Sequence, residues 1–120
     1  YWIDDGTNTG IKIRMLGVDA PEPRKYFTTE EEAYGKEASR FMKDLILNKE
    51  VRLELDIERY GTFNRTLAYG FLRDGTHINY LLVREGFANL NTTPPNVKYV
   101  DEFVKALQLA KQERKGMWAN

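Results

Sequence analysis

Between Val51 and Ile57 the chain alternates without a break: Val, Arg, Leu, Glu, Leu, Asp, Ile. A period of two sends one set of side chains into a core and the other toward water, so this stretch reads as a strand on a half-buried sheet. Thr66–Leu72 reads as a second strand, and Asp74-Gly75 as a hairpin turn into a short strand at His77-Ile78. Upstream, Ile11–Val18 alternates and then turns fully apolar, as a strand entering a core does. The turn-forming run Asp5–Gly10 before it predicts a hairpin between Tyr1–Asp4 and Ile11–Val18.

A period near 3.6 governs the rest. Tyr34, Ala38, Phe41, Met42 and Leu45 make one apolar stripe and predict a helix over residues 31–48. Asn79 is placed to cap a short helix through Glu85, which Gly86 ends. Asn91–Pro95 must be loop. Val97–Lys115 predicts the last helix, with Val100, Phe103, Val104, Leu107 and Ala110 inward and Gly116 as its stop. No repeat, low-complexity tract or linker interrupts residues 1–120, so a single domain is expected. Short strands with interposed helices predict an α+β domain, a small OB-type five-stranded β-barrel with three helices.

Composition narrows the chemistry. With no cysteine in 120 residues, disulfides, thiolate metal sites and a cysteine nucleophile are excluded. The single histidine, His77, leaves no His-rich zinc site and makes a Ser-His-Asp triad improbable. Any hydrolytic chemistry here must run on carboxylates and arginines, with or without a hard metal. The net charge is zero, but residues 1–60 carry 10 Lys/Arg against 13 Asp/Glu, whereas residues 61–120 carry 8 against 5. A local positive pocket is compatible with that balance; strong non-specific binding of polyanions is not favoured by it. No apolar run approaches the roughly 18 residues a membrane span needs, so no membrane partner is expected.

Two stretches concentrate the reactive side chains. In Arg14-Met-Leu-Gly-Val-Asp19-Ala20-Pro-Glu22 a strand ends and two carboxylates follow on a turn, beside an arginine. Oxygen donors near a cation suit a hard metal and a positioned water. In Phe63-Asn-Arg65-Thr-Leu-Ala-Tyr69 an arginine stands where a loop becomes a strand, a place from which a guanidinium can clamp a phosphate. Taken singly, each stretch also reads as an ordinary solvated turn with a surface arginine.

Together, and in order along the chain, these stretches resemble the staphylococcal nuclease family. Ile13–Glu22 is similar to that family's most diagnostic segment, Tyr34–Ser39 to the start of its first helix, and Arg65–Tyr69 to the strand bearing its second catalytic arginine. Asn79–Gly86 resembles its short middle helix, and Trp118 its tryptophan after the last helix. The resemblance implies a calcium-dependent endonuclease acting on single-stranded DNA and RNA. Asp19 would be a calcium ligand together with the Ala20 carbonyl, and Glu22 would activate the attacking water. Arg14 would hold the scissile phosphate, and Arg65 would stabilise the transition state and the departing oxygen. A monomer is expected, and the resemblance points to a secreted or cell-surface bacterial protein.

Several positions depart from the family pattern. Its Asp-Gly-Asp-Thr motif, source of a further calcium ligand, is missing, and the chain is expected to begin just after it, without the first strand. Phe63-Asn64 replaces the usual Tyr-Gly; Asn tolerates positive φ, so the turn is kept while a phenol is lost. Asn91–Pro95 offers no tyrosine for stacking on a base. The competing reading is a catalytically degenerate nuclease-like OB-fold module that binds without cutting. A single-stranded nucleic-acid-binding OB domain ranks behind both, because the basic residues are scattered instead of interleaved with aromatics. Presence of Arg14, Asp19, Glu22 and Arg65 together favours the enzyme. His77, Glu54 and Trp118 are expected to be structural.

Overall fold

The computed structural model describes residues 2–3, 11–19, 29–61 and 65–119. Its elements, in chain order, are β1 (Trp2–Ile3), β2 (Ile11–Met15), β3 (Gly17–Asp19), α1 (Thr29–Ile46), β4 (Val51–Tyr60), β5 (Thr66–Leu72), α2 (Ile78–Arg84), β6 (Asn89–Asn91) and α3 (Val100–Gln112), with a 3-10 turn at Gly116–Trp118. This is an α+β fold with three helices. The strands form a four-stranded sheet in the order β1-β2-β5-β4 and a two-stranded sheet of β3 with β6. The β2–β5 pair is parallel and the others are antiparallel. Among the described residues these ladders do not close a five-stranded barrel; the four-stranded sheet is mixed and the two-stranded one antiparallel.

The hairpin expected before Ile11 is present, with Trp2 opposite Lys12 and Ile3 opposite Ile11. Thr66–Leu72 forms a strand with the boundaries read from its pattern. The alternating stretch at Val51 runs three residues further than its period, to Tyr60. His77 makes an isolated bridge to Phe71 in place of a strand. The last helix starts at Val100, not Val97, and its buried face is Phe103, Ala106 and Ala110, leaving Val104 exposed.

Residues from both sheets and all three helices meet in one core that includes Ile13, Met15, Val18, Ala68, Leu82 and Phe103. Burying side chains of this size contributes roughly 1.5–3 kcal/mol each against the entropy of ordering them. Phe41 of α1 stacks on Phe87 after α2, their centroids 4.6 Å apart. The C-terminal turn docks on α2 where Met117 N–H donates to the Gly86 carbonyl at 3.0 Å. A Cβ on Gly86 or Gly116 would overlap the other segment's backbone, so only glycine allows that approach.

Candidate active site

The site begins with a kink. Met15 closes β2 and Gly17 opens β3, with Leu16 between them in a turn. Gly17 has φ of +79°, and a Cβ there would stand 2.5 Å from the Phe103 ring. Only glycine meets both demands. The kink turns the chain out of the first sheet, so that Gly17, Val18 and Asp19 pair with Asn91, Leu90 and Asn89 of β6. Asp19 therefore ends a short, paired strand, and its side chain is exposed.

Arg14 reaches across this kink. Its half-buried guanidinium donates from Nη1 to the Met15 carbonyl at 3.0 Å and to the Val18 carbonyl at 2.9 Å. The head group is thus fixed beside the peptide that precedes Asp19. A guanidinium has five N–H donors, so three remain without an acceptor among the described residues. An anchored guanidinium fork of this kind matches a phosphate.

Arg65 arrives from β5. Register places Ile13 beside Thr66 and Arg14 beside Leu67, so Arg65 lies one strand across and two residues back from Arg14's neighbour. Strand geometry makes that about 5 Å across and about 7 Å along. Gly61 N–H donates to the Arg65 carbonyl at 2.9 Å and closes the hairpin from which the arginine emerges. Arg65 thus precedes the first β2–β5 pair, Arg14 lies within the ladder, and Asp19 follows the kink beyond its last pair. Ala20 and Glu22, the other two residues assigned to this site from sequence, lie outside the described residues, as do Phe63 and Asn64.

The donor set bears on a metal. Asp19 supplies an exposed hard oxygen of the type calcium takes, but calcium needs six to eight such ligands. No group of three or more His, Asp or Glu side chains gathers among the described residues. Donor type fits calcium; donor number is not reached by the described part of the site.

Sequence reasoning missed the residue that holds the kink. Asn79 is not a helix cap. His77 occupies that position, and Asn79 lies inside α2, fully buried. Its amide donates to the Leu16 carbonyl at 2.8 Å and to the Ala68 carbonyl at 3.4 Å, and accepts from Gly70 N–H at 2.9 Å. It ties α2 to the kink and to β5 at once. The signal was available: an amide inside the apolar run Ile78–Val83 faces the core and must be satisfied there.

His77 lies inside an aromatic cluster, stacked on Phe71 at 4.3 Å and against Tyr99 at 4.7 Å. Burial pushes its imidazole down to about 4, with Glu54 opposing and Arg52 adding to the shift. Next to it, burial and a 2.8 Å hydrogen bond to Asp56 keep the Tyr69 phenol protonated far above its usual range. Glu54 accepts from Lys98 and from the Tyr99 hydroxyl, and these contacts hold its carboxyl below the ordinary value. These groups fasten the loop before α3 onto β4 and β5.

The fold is that of a small α+β protein in which Arg14 is fixed beside the peptide that precedes Asp19. Comparison with known proteins gives that class a family. Residues 12–120 match the family model described as staphylococcal nuclease homologue. The chain is 40% identical over 108 residues to the thermonuclease of Staphylococcus hyicus, covering 90% of this chain and 63% of that protein. It is 39% identical over 107 residues to the thermonuclease of Staphylococcus intermedius, covering 89% and 62%. Against the SPbeta prophage-derived endonuclease YokF of Bacillus subtilis it is 35% identical over 109 residues, covering 89% and 36%. The chain belongs to the staphylococcal nuclease family. It spans less than two thirds of the length of these relatives.

Proposed function

We propose that this chain carries a calcium-dependent nuclease that hydrolyses phosphodiester bonds in single-stranded DNA and RNA. The observation that carries the reading is the Arg14 guanidinium. It is anchored on the Val18 carbonyl beside Asp19, keeps three donors uncommitted among the described residues, and lies one strand from Arg65. Relatives named thermonuclease and endonuclease support it.

In this reading Arg14 binds the non-bridging oxygens of the scissile phosphate through its remaining N–H groups. Arg65 stabilises the negative charge that grows on the phosphoryl oxygens and on the leaving oxygen. Cations fixed in advance act most strongly where charge develops, and removing one such donor typically costs about 10²- to 10³-fold in rate. Glu22 takes the proton of the attacking water. The Asp19 carboxylate and Ala20 carbonyl are the ligands for calcium, which supplies Lewis-acid polarisation of the phosphoryl group when bound. The two sheets belong, in this proposal, to an OB-type barrel.

The competing reading is a nuclease-like module that binds without cutting, and it draws on the single described carboxylate at the site. Cleavage of a single-stranded oligonucleotide by the full-length protein, with calcium and then with excess chelator, separates the two. Cutting that chelation abolishes is expected. Cutting that survives chelation would remove the metal from the mechanism, and binding without cutting under both conditions would leave the module reading.

A further inference from the structure

Arg65 owes its place to a distant side chain. From Val51–Leu72 to Leu55–Ala68 the β4–β5 ladder is regular, and the next pair is Tyr60 with Thr66. Five steps along β4 match two along β5, so three extra residues bulge out of the ladder. A bulged segment leaves backbone groups without cross-strand partners, and these must be satisfied elsewhere. Glu58 lies in the middle of the bulge. The Asn96 amide, from the loop before α3, serves both of its backbone groups: Oδ1 accepts from Glu58 N–H at 2.9 Å, and Nδ2 donates to the Glu58 carbonyl at 2.9 Å. Asn96 is 2% exposed, one of two buried polar side chains among the described residues. Two residues on, Lys98 N–H donates to Asp56 Oδ2 at 3.3 Å, so the same loop grips β4 a second time.

Immediately past the bulge, β4 enters the hairpin that presents Arg65. Tyr60 opposes Thr66, and Gly61 N–H holds the Arg65 carbonyl. We propose that Asn96 is a positioning residue for Arg65, its amide standing in for a missing strand and fixing the bulged half of β4 from which the Arg65 hairpin hangs. The proposal rests on the reading of Arg65 as a group that stabilises the transition state. It assigns to Asn96 an effect on rate that its place outside the proposed catalytic set does not suggest.

The test is a double-mutant comparison in the full-length protein. Cleavage of a single-stranded oligonucleotide is followed in single turnover with enzyme in excess, for Asn96→Ala in the wild-type and in the Arg65→Ala background. A small misplacement of a catalytic group can cost about 10²-fold, so Asn96→Ala is expected to slow cleavage about 10- to 100-fold with KM little changed. In the Arg65→Ala background the same substitution should cost less than about twofold, because the group it positions is gone. Glu58→Ala, which keeps the backbone groups, should leave the rate unchanged. Equal losses in both backgrounds would overturn the proposal and make Asn96 a general stabiliser. Should Asn96→Ala not fold, Asn96→Asp keeps the acceptor for Glu58 N–H and replaces the donor. Its Arg65 Nε–Hε NMR resonance should move from the wild-type position, and an unmoved resonance would overturn the proposal. Absence of any cleavage by the wild type would instead sink the nuclease reading, and that resonance would still decide the positioning role.

Discussion

Two buried asparagines do opposite jobs in this molecule. Asn79 sits in the apolar centre, where α2, the kink after β2 and strand β5 converge. Asn96 sits at the rim, where a loop meets the bulged end of β4. Each amide satisfies backbone groups that a regular ladder would have paired. Around Asn79 every neighbour is packed, so losing the amide strands buried donors and acceptors with no route to water. Around Asn96 the neighbouring Ile57 and Val97 are exposed, so water can replace part of what is lost. The same chemistry is therefore expected to govern stability in one place and geometry in the other.

The sharpest way to break that contrast is to show that the site end is merely structural. Glu22→Gln should slow cleavage by about 10²- to 10⁴-fold, and Arg65→Ala by about 10²- to 10³-fold. A thousandfold corresponds to about 4 kcal/mol of barrier. Thermal melting should stay near that of the wild type for both. Early unfolding, or an unchanged rate, would place these residues in the scaffold.

Asn79→Ala should do the reverse. It leaves the Leu16 carbonyl and Gly70 N–H unpaired inside the core, each costing about 1–3 kcal/mol. A loss of about 3 kcal/mol in urea unfolding is expected, which is a large share of a small domain's stability. Activity per folded molecule, measured well below the new melting point, should fall far less than in the Arg65 variant. A stability change below about 1 kcal/mol would mean that water reaches the amide's partners and that the core is looser than its packing implies.

The smallest effect tests the aromatic cluster that lies between these regions. His77 is held neutral in the fold at about 4, against an ordinary 6.5. The unfolded chain binds the extra proton first, so stability is full above about pH 6.5 and falls as pH drops toward 4. Because His77 is only half-buried, about 1–2 kcal/mol is the expected size. Urea midpoints at pH 7.5 and pH 4.5 measure it, and His77→Met should flatten the difference. A slope that survives the substitution would assign the acid sensitivity to the Glu54 carboxyl, which its contacts hold below the ordinary value.

Much of this could be read from the chain alone because the signals were local. Period 3.6 at Ala38–Leu45 follows from one face meeting a core, whichever partner supplies it, whereas period two at Val51–Ile57 gave the strand but not its buried face, since Leu55 and Ile57 are exposed. The Arg14–Asp19 segment was legible for a related reason: Gly17 permits one bend, and Arg14, Asp19 and Glu22 all lie within five residues of it. Other features depended on partners far away in sequence. The bulge in β4 continues an alternation that otherwise looks regular, and only the loop 38 residues later explains why Glu58 can leave its ladder. Asn79 resembled a helix cap because capping is what asparagine does when no tertiary acceptor is present. In the fold it meets Leu16, 63 residues back, and the core's demand that every buried polar group be paired outweighs the local preference. Sequence alone determined the elements and the reactive side chains, since those follow from periodicity and residue chemistry. Only the tertiary structure decided which strand Arg14 faces and which amide holds Arg65 in place, because hydrogen bonds between distant segments exist only once the core has brought them together.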